Sequence, residues 1–160
     1  MENGQILDHH LSSSSSWNSQ THGPQRARLN QRADPELGLA GGWRADTGSS
    51  ATGETWIQVD FAQWTNLTGV ITQGREDKSE WVTQFKVSYF QNDWLFVSTP
   101  GDGQPQEFFG NYDTYHPVTN LFLHQVVAKS VRVHPITWYR RPSMRFELLG
   151  CTDGDLILNG

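Results

Sequence analysis

The chain has 160 residues, a net charge of −5 at pH 7 and a sequence pI near 5.6. This length favours one domain with a sizeable core, and the acidic balance disfavours a nucleic-acid partner, which requires a basic stripe. No stretch approaches the roughly 20 apolar residues of a membrane span, and the first twenty residues lack the basic start and apolar run of a signal peptide.

The first fifty residues are predicted to form short strands and polar loops. Residues 5–7 are predicted as an edge strand, and residues 26–30 as another short strand. The serine run at 12–16 is interpreted as an ordered entry into a loop rather than a flexible linker, because Trp17 follows it at once. Turn-forming residues dominate three loops, which cover residues 18–24, 31–42 and 47–53.

The stretch from residue 54 to residue 90 is predicted to organise the sheet. Residues 56–61 alternate apolar and polar side chains with the period of a half-buried strand. Residues 67–73 follow as a strand covered on both faces, and residues 81–90 resume the alternation. A charged loop, residues 75–80, separates the last two strands, and a polar loop on a rigid sheet is a common place for a binding site.

The remainder of the chain predicts further strands and no helix, since no window shows helical apolar spacing. The predicted strands cover residues 94–97, 107–109, 118–123, 128–134 and 143–149. A loop at 136–142 carries Trp138, Tyr139 and Arg140. Many short strands separated by turns, in a chain with seven tryptophans, predict an all-β sandwich or barrel.

Several short motifs follow one another from Met1 to Cys151. They occupy residues 1–6, 26–30, 42–43, 56–60, 68–75, 81–83, 109–113, 117–120, 131–138 and 145–151. In this order they resemble the discoidin family, also called the coagulation factor five and eight C-type domain. The resemblance implies an eight-stranded jelly-roll β-sandwich, like the galactose-binding domains, with ligand-binding loops called spikes at one end. It places a discoidin-type domain at 1–151 and a C-terminal tail at 152–160.

The resemblance implies a non-catalytic module of a larger extracellular or cell-surface protein. Its ligand would be a carbohydrate or an extracellular matrix protein, bound through the spikes in cell adhesion. No catalytic motif contradicts this expectation, because Gly-x-Ser-x-Gly, His-Glu-x-x-His and a phosphate-binding glycine loop are all missing from the sequence. A cytoplasmic location is the alternative if Met1 is the natural start, and Cys151 then lacks the partner cysteine that the family usually places before this point.

Arg75 follows a predicted strand, where the resemblance places an arginine beneath a ligand crevice. A guanidinium there can donate to hydroxyl, carboxylate or phosphate oxygens. The alternative is an ion pair with a nearby carboxylate, and the two roles can coexist. The carboxylates in question are Glu76, Asp77, Glu80 and Asp46.

Trp17 follows the serines as the matching tryptophan does in collagen-receptor members of the family, and Glu80 falls on the position of their groove glutamate. An indole folded over the edge of the sandwich is the alternative for Trp17. Trp43 and Trp56 are predicted to lie in the core. The full set of predicted ligand contacts is Trp17, Asn18, His22, Asp46, Arg75, Glu80, Trp138, Tyr139 and Arg140.

Phosphatidylserine-dependent membrane docking is the alternative function. Lipid-binding relatives carry large apolar residues on the first and third spikes, whereas here residues 18–24 are polar and residues 75–80 are net acidic. An anionic bilayer would repel such loops, which leaves Leu37 and Leu39 as the candidate wedge. No cofactor is expected beyond a structural calcium ion of the kind known in some relatives, with Asp46, Thr47 and Glu147 as candidate ligands.

Overall fold

Strands make up most of the regular structure, in agreement with the sequence pattern. The computed structural model describes residues 1, 4–47 and 54–152. Within them are eight strands: β1 (Leu11–Ser13), β2 (Trp43–Arg44), β3 (Ile57–Gln73), β4 (Trp81–Phe90), β5 (Trp94–Phe96), β6 (Phe108–Phe109), β7 (Val118–Tyr139) and β8 (Ser143–Thr152). Two short 3-10 helices cover Asp8–His10 and Pro24–Arg26, and no helix among these residues could cross a membrane.

Two long strands, β3 and β7, belong to both layers of the sandwich. Residues 57–60 of β3 pair with β1 and with residues 130–133 of β7. Beyond a register shift, residues 65–73 of β3 pair instead with β8, and with residues 118–128 of β7. The second half of β7 also pairs with β4, which carries β5 and β6. The predicted eight-stranded jelly-roll sandwich is therefore confirmed.

The predicted breaks within β3 and β7 are wrong. Residues 57–61 and 67–73 belong to one strand, because the ladder continues past register shifts at Asp60/Thr65 and Leu67/Gly69. A bulge lets a strand absorb extra residues without ending its pairing. For the same reason most of the predicted loop at 136–142 is strand, and only residues 140–142 connect β7 to β8.

The N-terminal strand predictions are also wrong in position. The edge strand is β1 rather than residues 5–7, because Leu11 pairs with Val59 and buries its side chain in the core. Residues 26–30 follow a 3-10 helix begun by Pro24 and make only one bridge, between Arg28 and Phe146. The predicted turn at 47–53, apart from Thr47, and the tail from residue 153 onward lie outside the described residues.

The core lies between the two layers. Its largest side chains are Trp43, Phe85 and Phe146, each fully buried. The indole Nε1 of Trp43 donates to the Ser15 carbonyl at 3.1 Å, which ties the core to the start of the first spike and satisfies the buried N–H. The core prediction for Trp43 is thus confirmed.

The core prediction for Trp56 is wrong, because Trp56 precedes the buried Ile57 and points to the outer face of the sheet. There the guanidinium of Arg132 lies 4.0 Å from the ring of Trp56 and 4.0 Å from the ring of Trp94. Its Nε donates to Gln58 Oε1 at 2.7 Å. The two tryptophans and the arginine form a cation–π sandwich that covers the outer surface of this layer.

We expect Gly69→Ala to destabilise the fold, because its backbone lies against β7. A Cβ at this position would lie 2.5 Å from the Asn120 carbonyl oxygen and 3.1 Å from the Leu121 Cα. Overpacking of this kind lowers the unfolding free energy by about 1–3 kcal/mol, or roughly 3–10 °C in Tm at this chain length. Thr68→Ala, at the exposed neighbouring position, is the control, and equal melting of the two variants in calorimetry would contradict the expectation.

His134 is predicted to make stability pH-dependent. It is 7% exposed, contacts Ser88 Oγ through Nε2 at 2.7 Å, and packs against the ring of Phe96. Burial, helped by the positive charges of Arg132 and Lys86, lowers the pKa of His134 from 6.5 to about 4. The carboxylate of Glu54, 3.7 Å from Nδ1, is largely exposed and does not reverse this.

Because the unfolded chain binds the proton first, stability conferred by neutral His134 is complete above pH 6.5 and is lost as the pH falls toward 4. The loss amounts to about 3 kcal/mol at most. Urea titrations of wild type and His134→Gln between pH 4 and 7 would measure it. Parallel stability curves for the two proteins would show that His134 does not titrate in this way.

Candidate ligand-binding site

Three loops converge at the end of the sandwich where β3 ends and β4 and β8 begin. We call them spike 1 (residues 14–23), spike 2 (residues 31–42) and spike 3 (residues 74–80). Arg145 on β8 holds two of them and the loop before β7: its Nε donates to the Gly74 carbonyl at 2.7 Å, Nη1 to Gln31 at 3.0 Å and Nη2 to Thr114 at 2.6 Å. Arg145 is 3% exposed, although alternation along the predicted strand at 143–149 would direct it outward, between the inward-facing Met144 and Phe146.

Arg75 lies at the base of spike 3 and is 5% exposed. Its Nε and Nη2 donate to the two carboxylate oxygens of Asp77 at 2.7 and 2.8 Å, and its Nη1 donates to Glu80 Oε2 at 3.2 Å. Burial alone would lower the pKa of Arg75, but these hydrogen bonds and charges outweigh it and raise the pKa. The alternative role considered for Arg75, an ion pair within its own loop, is therefore the one its geometry shows.

The carboxylates of spike 3 also bond to the surrounding structure. Asp77 Oδ1 accepts from the Gly41 N–H at 2.9 Å, and Glu80 Oε2 accepts from Ser143 Oγ at 2.8 Å. Burial opposes ionisation of Asp77, but the hydrogen bonds from Arg75 and Gly41 outweigh it and lower the pKa of Asp77 to about 2. Spike 3 is thus joined to spike 2 through the carboxylate of Asp77 and to β8 through that of Glu80.

Trp17 and Arg44 form the outer edge of the site. Trp17 is 57% exposed, and the guanidinium carbon of Arg44 lies 4.3 Å from the centre of its ring. The Trp17 N–H donates to the Arg44 carbonyl at 2.9 Å, and the Arg44 N–H donates to the His22 carbonyl at 3.2 Å. These two backbone hydrogen bonds join spike 1 to Arg44 of β2 at Trp17 and at His22. We call this region, with Arg75 at its base, the crevice.

Asn18 and His22 support spike 1 from within. Asn18 Oδ1 accepts from the N–H groups of Gln20 and Thr21 at 3.0 and 3.1 Å, which closes the turn. His22 Nδ1 is 2.7 Å from Thr21 Oγ1. Burial, followed by the positive charges of Arg75 and Arg44, lowers the pKa of His22, so the imidazole is neutral at pH 7.

Arg44 belongs to the site but was not among the predicted contacts. Its Nε is buried and has no hydrogen-bond partner among the described residues. A signal was present in the sequence, because strand alternation directs Arg44 away from the core if Trp43 points into it. What the sequence lacked was the location of Trp17, whose ring lies against Arg44 only in the folded chain.

The structure divides the predicted contacts into two groups. It brings Trp17, Asn18, His22, Asp46, Arg75 and Glu80 together at the crevice, where the Asp46 N–H donates to Ser15 Oγ at 3.2 Å. Tyr139 instead stacks on Trp81 at a centroid distance of 4.4 Å, and Arg140 lies over Tyr139 at 5.3 Å. Trp138 pairs with Val82 on the same side of the sheet end. These three residues flank the crevice and make their contacts with β4 or with each other.

The candidate calcium ligands do not form one coordination sphere. Asp46 and Thr47 follow β2 at the crevice end, whereas Glu147 Oε1 is 2.5 Å from the amino nitrogen of Met1, further along β8. In the described part of the chain, no group of three or more His, Cys, Asp or Glu side chains could hold a metal ion. The three residues therefore do not fit a shared ion.

Comparison with known proteins points to one family. The sequence model of the F5/8 type C domain matches residues 10–148. Lactadherin from Rattus norvegicus is 34% identical over 159 residues, covering 94% of this chain and 35% of lactadherin. Discoidin II from Dictyostelium discoideum has a structure similar to this one, with a TM-score of 0.73, 25% identity, and coverage of 88% of this chain and 53% of discoidin II.

A third similarity concerns the fold alone. The family 32 carbohydrate-binding module of NanJ from C. perfringens, solved in complex with galactose, has a TM-score of 0.60 at 13% identity, with coverage of 89% of this chain and 96% of the module. The chain thus spans nearly the whole of an isolated binding module. It spans only 35% of lactadherin, so it corresponds to a part of that protein.

We expect Arg75→Ala to destabilise the protein, because it leaves the carboxylates of Asp77 and Glu80 partly buried without their cation. Breaking a fully buried pair costs about 3–5 kcal/mol. Since the Asp77 side chain is 27% exposed, we expect a loss of about 2–4 kcal/mol. Lys78→Ala, at an exposed position of the same spike, is the control. Chemical denaturation that gives both variants the stability of the wild type would contradict this role.

Proposed function

The chain belongs to the F5/8 type C, or discoidin, domain family, and on that basis we propose that it is a non-catalytic module that binds a carbohydrate in its crevice. The module would form part of a larger extracellular or cell-surface protein engaged in adhesion. An extracellular matrix protein is the alternative ligand at the same crevice. The observation that carries the proposal is the exposed indole of Trp17, held against Arg44 on a rigid base.

An exposed, immobilised aromatic ring suits a sugar. Its face offers a large apolar area against which the C–H face of a pyranose can stack, and its ordering costs little entropy because an indole has only two side-chain torsions. The hydrogen bonds of Arg145 and Arg75 hold the surrounding spikes in place before any ligand arrives. Such preorganisation lowers the entropic cost of binding. The similar fold of a module solved with galactose is consistent with this reading.

The charges in the crevice support a binding role rather than catalysis. Hydrolysis of a glycoside commonly requires a carboxylic acid with a raised pKa beside a second carboxylate. Here the pKa of Asp77 is lowered to about 2, and its oxygens accept hydrogen bonds from Arg75 and Gly41. Glu80 Oε2 is likewise occupied by Arg75 and Ser143. Asp77 is therefore not suited to donate a proton at neutral pH.

Membrane docking is supported by one observation, the exposure of Leu37. This side chain is 70% exposed at the tip of spike 2. Its neighbour Leu39 is half-buried, since the backbone N–H and C=O of Asp34 and Leu39 bond to each other across the loop. One leucine buries little apolar area, and the acidic spike 3 lies beside it. Carbohydrate therefore remains the proposed ligand.

We expect Trp17→Ala to weaken carbohydrate binding about 10- to 100-fold, as truncation of a hot-spot aromatic does, without changing Tm. The matched control is Trp64→Ala, which removes another exposed tryptophan. Trp64 lies where β3 passes from one layer to the other. A glycan array would identify the ligand, and calorimetry would measure its affinity for both variants. Equal affinities would remove Trp17 from the site, and a blank array with binding to phosphatidylserine liposomes would overturn the proposed function.

A further inference from the structure

The crevice contains two arginines, and only one of them is neutralised by the protein. Three nitrogens of the Arg75 guanidinium donate to carboxylate oxygens of Asp77 and Glu80. The side chain of Arg44 makes no hydrogen bond or ion pair with any residue that the structure describes, and its Nε is buried. It lies over the face of the Trp17 ring. The crevice therefore holds a cation whose hydrogen-bond donors have no acceptor among the described residues.

The carboxylates of spike 3 are already engaged elsewhere. Glu80 Oε2 accepts from Arg75 and Ser143, both oxygens of Asp77 accept from Arg75, and Glu76 Oε2 accepts from the Ala33 N–H at 3.0 Å. Within the described residues no carboxylate lies within ion-pair distance of Arg44. Among the described residues Arg44 thus has no ion-pair partner, although Glu76, Asp77 and Glu80 lie in spike 3 and Asp46 lies two residues after it in the chain.

The surroundings of Arg44 make an external anion favourable. Burial lowers the pKa of Arg44; the positive charges of Arg141 and Arg75 add to this effect, and the negative charges of Glu80 and Asp46 oppose it. An unpaired, partly desolvated cation is costly for the folded protein. A guanidinium offers a planar fork that matches the two oxygens of a carboxylate or sulfate. The stacking on Trp17 holds this fork in one place before the ligand arrives.

We infer that the crevice binds an acidic saccharide, one whose sugar ring stacks on Trp17 while its carboxylate or sulfate group pairs with Arg44. The inference rests on the proposed carbohydrate-binding function and narrows it from carbohydrate in general to anionic carbohydrate. Neutral hydroxyl groups would leave the charge of Arg44 uncompensated. An anionic lipid headgroup could also satisfy the charge, but the polar and acidic spikes around it oppose approach of a bilayer.

The test compares a neutral glycan with acidic derivatives of it. Of these, 3′-sulfated lactose differs from lactose only in its sulfate group, whereas 3′-sialyllactose adds a whole acidic sugar. Lactose, 3′-sialyllactose and 3′-sulfated lactose, together with an array containing uronate and sulfate glycans, would be measured against wild type, Arg44→Gln, Arg44→Lys and Arg141→Gln. We expect the acidic members to bind best to wild type, and their affinity to fall about 10- to 100-fold in Arg44→Gln, as for loss of a charge-assisted hydrogen bond. Arg44→Lys keeps the charge but lacks the planar pair of N–H donors. Its affinity for the acidic glycans should lie between those of wild type and Arg44→Gln.

Two further measurements separate this role from a structural one. Affinity for the acidic glycan should weaken with added salt in wild type and lose that dependence in Arg44→Gln. The Tm of Arg44→Gln should equal or exceed that of wild type, because the variant removes an unpaired cation. A lower Tm for this variant would indicate that Arg44 supports the fold and would overturn the inference.

The remaining outcomes distinguish the inference from the proposed function. Equal binding of neutral and acidic glycans, with Arg44→Gln affecting neither selectively, would overturn the inference and leave carbohydrate binding standing. Loss of acidic selectivity in Arg141→Gln rather than Arg44→Gln would also overturn it. No glycan binding by wild type, with binding to phosphatidylserine vesicles, would overturn both.

Discussion

The loop end of this domain depends on the burial of one guanidinium, that of Arg145. Three of its nitrogens donate to backbone carbonyls of Gly74, Gln31 and Thr114, which belong to three separate loops. A buried charge is tolerated only where its donors are satisfied, so the loops must close around it in one arrangement. Hydrogen bonds from the Gly41 and Ala33 N–H groups of spike 2 to Asp77 and Glu76 of spike 3 reinforce the same arrangement. The positions of Arg75 and of the crevice follow from it.

Arg75 and Arg44 have different roles, although both are arginines at the crevice. The ion pairs of Arg75 are internal, and three of its five N–H groups donate to Asp77 and Glu80, so its contribution is to the shape of the site. Arg44 has no such partners in the part of the chain that the structure describes, and it lies against an exposed ring. The family resemblance points to Arg75, which supports the loops, and not to Arg44, which faces the proposed ligand. The hydrogen-bond partners, rather than the residue type, distinguish the two.

The sequence predicted the fold and part of the site for identifiable reasons. Alternation is a local property, so the inward-facing Phe85 and Val87 could be predicted from spacing alone. It failed at Val82, which is buried because register shifts on either side of Gln84 interrupt the period of two. It also failed at Arg145, since the carbonyls that accept its hydrogen bonds come from distant loops. Bulges and long-range acceptors have no local signature.

The shared strands β3 and β7 have a consequence for how the domain opens. Each contributes one half to one layer and the other half to the second, so neither layer can lose its strands while the other keeps its own. The two layers should therefore unfold as one cooperative unit. Amide protons in the centres of both layers should then exchange with solvent through the same global opening, while the short edge strands β1 and β5 exchange through local fraying.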